Sequence, residues 1–326
     1  MQALRLAAVG AVREMLAELD APEVQTLYVA GNTTMLHLFF GVDPSGMGAA
    51  PYTPAFLEMK EASGESLGLP KIQNAVSLPG AAAFVGADLT AGLNYVEMPP
   101  AGRYRLLIDL GTNAEIVLFS SAGALCTAAA AGPCFEGANI SCGMSASSGA
   151  VCAYGAWGYR TVNDAPAKGI CGTGLVDLIA FLLASGAIDE TGFMECGGFE
   201  AAPGVTLTQK DVRQYQLAKS AVCSAVETLI QKRGVLYDDI DAVYISGGFS
   251  EKINVSNAVK TGLLPPALKE KCIPAGNSSL MGTVKYACET NDLSVFLAHT
   301  AYADLAADPV FSARFIENMT FGADET

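Results

Sequence analysis

One order of structural signals occurs twice in this chain, and that repetition restricts its fold more than any single motif. A helix-patterned run from Leu4 to Leu19 leads into TLYVA, GNTTMLHLFFG, a proline-bearing link, AVSL and PGAAAFVGADLTAGL. Far downstream, a run from Val212 to Lys232 leads into AVYIS, GGFSEKINVSNAVKTG, the link LLPP and CIPAGNSSLMGTVKYA. Each reads as helix, strand, turn, helix, link, strand, turn, helix, the alternation of a parallel α/β arrangement. A duplicated α/β lobe is the expectation. Only the second copy is preceded by further strands, RLLI, IVLF and ALCTAAAA. The first lobe is therefore expected to lack its leading strands and to leave a sheet edge, so that either the sequence is a fragment or another chain or altered packing covers that edge. Residues 1–95 are read as this partial first lobe with a connecting helix, and residues 96–326 as the second lobe.

Between RLLI and IVLF lies DLGTNAE, Asp109 to Glu115. A strand running into Asp-X-Gly-Thr-Asn and out into another strand predicts a tight hairpin. Gly111 allows close approach of a ligand, and Thr112 and Asn113 can donate to anionic oxygens, so the turn can cradle a phosphate. Asp109, at the end of an apolar strand, needs a cation, a water shell or a donor, and magnesium suits it. An ordinary hairpin with Asp and Asn as turn formers satisfies the same residues.

Composition narrows the function classes. A chain of 326 residues with 51% hydrophobic and 16% charged residues has material for about two packed domains. Its most apolar stretch, LVDLIAFLLASGAI, is interrupted by Asp177 and falls short of the roughly 18 residues a membrane helix requires. No span is expected. The N-terminus has no basic start followed by a continuous apolar core, which predicts a cytoplasmic protein. A formal charge of −14 argues against binding nucleic acid through the bulk surface. None of the nine cysteines forms a C-x-x-C pair, so most of them read as small buried hydrophobes and no iron–sulfur cluster is expected in this chain. With only His37 and His299 present, a histidine-based triad or metal site is not expected, and His37, inside MLHLFF, reads as a core or interface residue.

The DxGTN hairpin, the strand ending in SGGFS (Ser246 to Ser250) and the final strand with GNSSLMG (Gly276 to Gly282) resemble the second phosphate motif, the adenosine motif and the second connecting helix of the acetate and sugar kinase, heat-shock chaperone and actin superfamily. More narrowly, VAGNTTMLHLFFGVDP, LLIDLGTNAEIVL, AAGPCFEGANISCGM, GICGTGLVDLIA, DVRQYQLAKSAV, ISGGFS and GNSSLMG resemble the C-terminal ATP-binding domain of the reductive activators of corrinoid proteins. The resemblance runs over nearly the whole chain. It implies duplicated ribonuclease-H-like (actin-like ATPase) lobes, ATP or ADP with Mg2+ as cofactors, and a corrinoid methyltransfer protein as partner. The implied activity couples ATP to the return of cob(II)amide to cob(I)amide, with the electron supplied by an iron–sulfur domain that precedes this region in full-length relatives. That domain, and a first phosphate hairpin expected ahead of Met1, are not in this sequence, so weak ATP binding and little hydrolysis are expected of the chain by itself.

The remaining motifs keep two readings each. Gly247 and Gly248 let the backbone pass an adenine or ribose that Phe249 can contact, or form a plain strand-to-helix turn. Gly276 and Asn277 open the last motif. In GICGTGLVD, Gly172, Thr173 and Gly174 precede an apolar helix whose free N–H groups favour an anion, although Thr173 reads equally as an N-terminal cap. Asp109 is the first choice for metal and phosphate chemistry. Glu115, on the opposite strand face from Ala114 and Ile116, and Glu136, in a Gly-rich loop, are further candidates for orienting metal or water, or are simply solvated. Val212, Tyr215, Leu217 and Val222 are spaced as a helix core, which makes Lys219 structural or a partner contact. A small-molecule kinase of the same superfamily and a nucleotide-inactive interaction module are the alternatives. The sheet edge favours a homodimer, and like charge opposes it.

Overall fold

The computed structural model describes residues 2–20, 23–248, 250–289 and 291–322. The chain begins with α1 (Gln2–Glu18), β1 (Val24–Val29), α2 (Thr33–Phe40), β2 (Lys60–Ser63), α3 (Gly64–Leu67), β3 (Ile72–Ser77) and α4 (Ala87–Tyr95). Next come β4 (Tyr104–Leu110), β5 (Ala114–Ser120), β6 (Gly123–Ala129), β7 (Ala150–Gly155), β8 (Gly158–Thr161), β9 (Gly169–Ile170) and α5 (Gly172–Ala184). There follow β10 (Gly198–Ala202), β11 (Val205–Thr208), α6 (Gln209–Arg233), β12 (Ile240–Ser246), α7 (Val255–Lys260) and β13 (Cys272–Gly276). The last elements are α8 (Ser278–Glu289), α9 (Ser294–Leu297), β14 (Thr300–Tyr302) and α10 (Pro309–Glu317). Two compact units result: Met1–Glu97 with Ala122–Cys126 and Ser278–Tyr302, and Met98–Ser121 with Thr127–Asn277 and Ala303–Thr326.

In the first unit the sheet order is β1-β3-β2, with β1 parallel and β2 antiparallel to β3. Asn32 starts α2 by accepting the Met35 N–H at 2.9 Å, a cap worth about 1 kcal/mol. Its apolar face carries Leu36, Phe39 and Phe40 into a core with Phe56, Ile72 and Leu78. His37 is wholly buried and stacked on Phe56. Its Nδ1 lies 2.7 Å from the Thr33 carbonyl and its Nε2 accepts the Ala55 N–H at 3.0 Å, so both ring nitrogens serve the backbone and the core reading of this residue stands. Helix α8 crosses α4 so closely that a Cβ at Gly282 would lie 1.7 Å from the Ala91 carbonyl oxygen, which gives one glycine of GNSSLMG a packing role. β14 runs parallel to the start of β6, Thr300 opposite Ala124.

The second unit is organised by strands in the order β13-β12-β4-β5-β6. β12 is parallel to both β4 and β13, whereas β5 is antiparallel to β4. Leu106, Leu107, Ile108, Ile116, Val117, Leu118 and Phe119 are all fully buried, the unbroken apolar pattern of strands covered on both faces. α6 starts from a capping box in which Thr208 and Asp211 exchange hydrogen bonds, and Asp211 also accepts the Ser141 N–H at 2.8 Å. Val212, Tyr215 and Val222 are buried as expected, but Leu217 is 43% exposed, because it falls on the helix face turned from the core. Lys219 donates to the Thr320 carbonyl and lies 4.9 Å from the Phe321 ring centroid; burial lowers its pKa to about 8. It is a structural residue that ties the C-terminal segment to α6. Burial also pushes the thiols of Cys126, Cys134 and Cys223 up to about 12, the behaviour of packed hydrophobes. Among the described residues no helix is long and apolar enough to cross a membrane.

Candidate functional site

The β4–β5 hairpin closes through Asp109 opposite Glu115 and Leu110 opposite Ala114. Because paired residues share a sheet face, Glu115 stands on the same face as Asp109, and so does Ser246, which is opposite Asp109 on β12. The Ser246 hydroxyl lies 3.4 Å from Asp109 Oδ2 and 3.1 Å from the Gly276 carbonyl oxygen. Thr112 and Asn113 are exposed at the loop tip, and Gly111 donates across it to the Asn113 carbonyl at 3.1 Å. Glu136 is brought to this loop from a short 3-10 turn: Oε1 accepts the Thr112 N–H at 3.2 Å and Oε2 accepts its hydroxyl at 2.5 Å. The loop donors expected to meet an anion already hold a carboxylate, which is the polarity a phosphate cradle needs.

The Ser246–Gly247 turn passes directly beside this hairpin. A Cβ at Gly247, where φ is +108°, would lie 2.3 Å from the Leu110 carbonyl oxygen and 3.1 Å from Asp109 Oδ1, so only glycine permits the approach. The Gly247 N–H donates to the Gly276 carbonyl at 3.2 Å, and the Ser250 hydroxyl donates to the Gly247 carbonyl at 2.9 Å. Gly248 is exposed with open space where a side chain would be, and Asn277 is exposed beyond the end of β13. Asp109, Gly247 and Gly276 therefore meet at the C-terminal ends of three neighbouring parallel strands, the end at which open α/β sheets take ligands. Phe249 lies outside the described residues.

A cavity of about 570 Å³ opens beside Gly248, lined also by Cys152, Arg160, Thr173 and Lys252. Its volume is in the range of small-ligand sites. Burial raises the pKa of the Cys152 thiol, whose Sγ lies 3.6 Å from the Arg160 carbonyl oxygen. Of the GICGTGLVD residues Cys171 and Thr173 line this cavity, and Gly172 and Gly174 do not. Side chains at Gly172 and Gly174 would lie 2.2 Å from the Phe135 carbonyl and 2.0 Å from the Val151 carbonyl, so these glycines let α5 pack against the backbone. Thr173 is not the cap: Cys171 holds that position without a side-chain bond, and the Thr173 hydroxyl donates to the Cys152 carbonyl at 2.8 Å because it sits inside the first turn. Arg160 and Lys252 were not nominated by the sequence. The β7–β8 hairpin that carries Arg160 is short and glycine-rich, and no alternation marks it.

Among the described residues no group of three or more His, Cys, Asp or Glu forms a metal cage. Magnesium needs less, since it binds through one or two carboxylates with phosphate and water. Asp109 and Glu115, facing alike beside an anion-accepting loop, fit that donor set.

Comparison with known proteins agrees in kind along the whole chain. The corrinoid activation enzyme RamQ of Eubacterium limosum is 30% identical over 343 residues, covering 94% of this chain and 58% of its own length. The [Co(II) methylated amine-specific corrinoid protein] reductase of Methanosarcina barkeri is 32% identical over 222 residues, covering 60% of this chain and 41% of its own length. The chain thus spans about half the length of the curated relatives it matches. A solved reductive activator for corrinoid, iron-sulfur protein superposes with a TM-score of 0.86 at 30% identity, over 95% of this chain and 55% of that one. The profile of the RACo middle region matches residues 2–100, and that of the C-terminal domain of RACo, the ASKHA domain, matches residues 103–326. The chain belongs to the RACo family, of which it spans the middle region and the ASKHA (actin-like ATPase) domain.

Proposed function

We propose that this chain is the nucleotide-responsive part of an ATP-dependent reductive activator of corrinoid proteins. ATP binding and turnover shift the positions of its parts, and that shift lets a low-potential electron reach cob(II)amide in a corrinoid partner and return it to cob(I)amide. The electron comes from an iron–sulfur donor outside this sequence. The observation that carries the reading is the convergence of the Asp109 hairpin, the Gly247 turn and Gly276 at one end of β4, β12 and β13, in a family whose relatives are named for corrinoid activation and Co(II) reduction.

Each residue then has a part. Gly111 admits the terminal phosphates, and Thr112 and Asn113 donate to them. Asp109, with Glu115 beside it, would hold Mg2+, which when bound supplies neutralisation of phosphate charge. Glu136, fastened by Thr112, orients the attacking water. Gly247 and Gly248 pass the ribose and base, Phe249 contacts the base, and Gly276 with Asn277 closes that side. Thr173 stands in the wall of the neighbouring cavity, and Gly172 and Gly174 let α5 pack behind it. The fold reading extends to two ribonuclease-H-like lobes divided near residue 95; supporting it, β4, β5 and β6 lie side by side and are extended next to β4 by the parallel strands β12 and β13.

One observation favours the nucleotide-inactive alternative: the Thr112 donors are engaged by Glu136. Titration of the chain with ATP, with and without Mg2+, decides between them. Addition of a corrinoid protein and a low-potential chemical reductant then reads the activity as ATP-dependent growth of cob(I)amide absorbance. Binding that is absent, or indifferent to Asp109→Asn, would remove the proposal.

A further inference from the structure

The wall of the cavity beside Gly248 has a construction of its own. β7 and β8 pair as a hairpin with Ala153 opposite Arg160 and Gly155 opposite Gly158. The turn carries Trp157, the single tryptophan of the chain, which is 60% exposed. Its indole is folded back on the strand: a Cβ at Gly155 would lie 2.7 Å from Trp157 Nε1, so a side chain there would displace the ring. Over the indole lies the guanidinium of Arg160, its carbon 5.2 Å from the ring centroid. The chain directly after Arg160 is fixed, since the Thr161 hydroxyl donates to the Ala165 carbonyl at 2.6 Å and the Gly149 N–H to the Val162 carbonyl at 3.1 Å.

Arg160 thus touches two things, the indole and the cavity. The cavity begins at Gly248, one residue beyond the turn that contacts Asp109. A guanidinium is planar, delocalised and weakly hydrated, so it stacks on flat aromatic faces, whereas an ammonium acts as a point charge. We propose that Arg160 is the base-stacking residue of the nucleotide site, with Trp157 holding its guanidinium at the cavity wall for the face of a purine. This rests on the nucleotide reading above and deepens it by naming what selects the base end of the ligand. A bound purine draws Arg160 from the indole or adds a second ring to the stack, and in either case alters the surroundings of Trp157.

The test compares three probes, adenosine, ATP with Mg2+ and inorganic tripolyphosphate, on the parent chain, Arg160→Ala and Arg160→Lys. Binding is followed by calorimetry and by Trp157 emission, and circular dichroism verifies the fold. Both variants should lose about tenfold in affinity for adenosine and for ATP, the scale of one stacking contact, with tripolyphosphate unaffected. Adenosine should change the emission of the parent and leave that of Arg160→Ala unchanged. If the parent binds adenosine and Arg160→Ala binds it equally well, the inference falls and the nucleotide reading survives. An equal loss for tripolyphosphate would make Arg160 a phosphate contact and overturn the base assignment. Failure of the parent to bind either adenosine or ATP would remove the nucleotide reading and this inference with it.

Discussion

Two glycine-bearing turns of the second unit look alike as sequence and are used in opposite ways. In the β4–β5 hairpin, a Cβ at Gly111 would meet nothing nearer than the Asn113 carbonyl at 3.5 Å and Glu136 Oε1 at 3.6 Å, and the neighbouring Thr112 and Asn113 are exposed. At the start of α5, Gly172 and Gly174 are buried with backbone oxygens 2.2 Å and 2.0 Å from where a Cβ would be. The first turn keeps its glycine for approach from outside, and the second spends its glycines on approach from within. A helix N-terminus behind glycines is therefore not an anion site when the space the glycines create is already filled by the protein's own backbone.

The largest effect that can break this comparison is on stability. Gly174→Ala forces a methyl against the Val151 carbonyl, and overpacking of this kind should cost roughly 3 kcal/mol, a fall in Tm on the order of 10 °C by calorimetry. Gly111→Ala makes only ordinary contacts, so its Tm should match the parent while its ATP affinity falls. Equal losses of Tm in the two variants would erase the distinction. Next in size is Asp109→Asn. Losing the charge that faces the phosphate loop should weaken ATP binding in the presence of Mg2+ on the order of a hundredfold, and leave binding without Mg2+ nearly unchanged. A loss that ignores Mg2+ would assign Asp109 to the turn alone.

Much of the frame was legible because long periodic signals decide it. The Val212 to Lys232 helix lies within α6, AVYIS lies within β12, and DLGTN ends β4 and forms the turn into β5, between two buried strands. What stayed hidden has no period to read. β7, β8 and β9 are short and interrupted by glycine, and β2 is a four-residue strand without an apolar face. The pairing of Glu136 with Thr112 joins residues 24 apart through tertiary contact only. Leu217 misled because a helical spacing of apolar residues does not say where the buried stripe ends, and Thr173 because a threonine beside glycine fits a cap and a first-turn position equally.

Glu136 sharpens the hairpin side of the comparison at smaller scale. Its carboxylate accepts from both the N–H and the hydroxyl of Thr112, the donors a phosphate would use. Glu136→Gln weakens that competitor, so nucleotide affinity should rise by about threefold to tenfold, within the 1.5 kcal/mol or so of one charge-assisted hydrogen bond. Phosphate release per bound nucleotide should fall, because the variant cannot orient water as a base. Tighter binding with faster release would remove Glu136 from the chemistry, and weaker binding would make it part of the cradle.

The smallest effect tests whether the α5 side is closed to water. Asp177 sits one turn after Gly174, accepting from Asn257 Nδ2 at 2.7 Å and from the Tyr154 N–H at 3.4 Å. Burial raises its pKa above the ordinary 3.8, with those two donors and Arg160 pulling it back. For an acid with a raised folded pKa, the native state binds the proton more tightly than the unfolded chain does. The associated stability is fully present below 3.8 and is lost as pH rises through the raised folded value. Asp177→Asn does not titrate, so the stability of the parent relative to this variant should fall as pH rises through that acid window and be level above it. Urea denaturation of both chains at closely spaced pH values measures the difference. A level difference throughout the window would show that water reaches the α5 wall, and the contrast between a turn open to ligand and a turn filled by backbone would then rest on the two glycines, Gly172 and Gly174, alone.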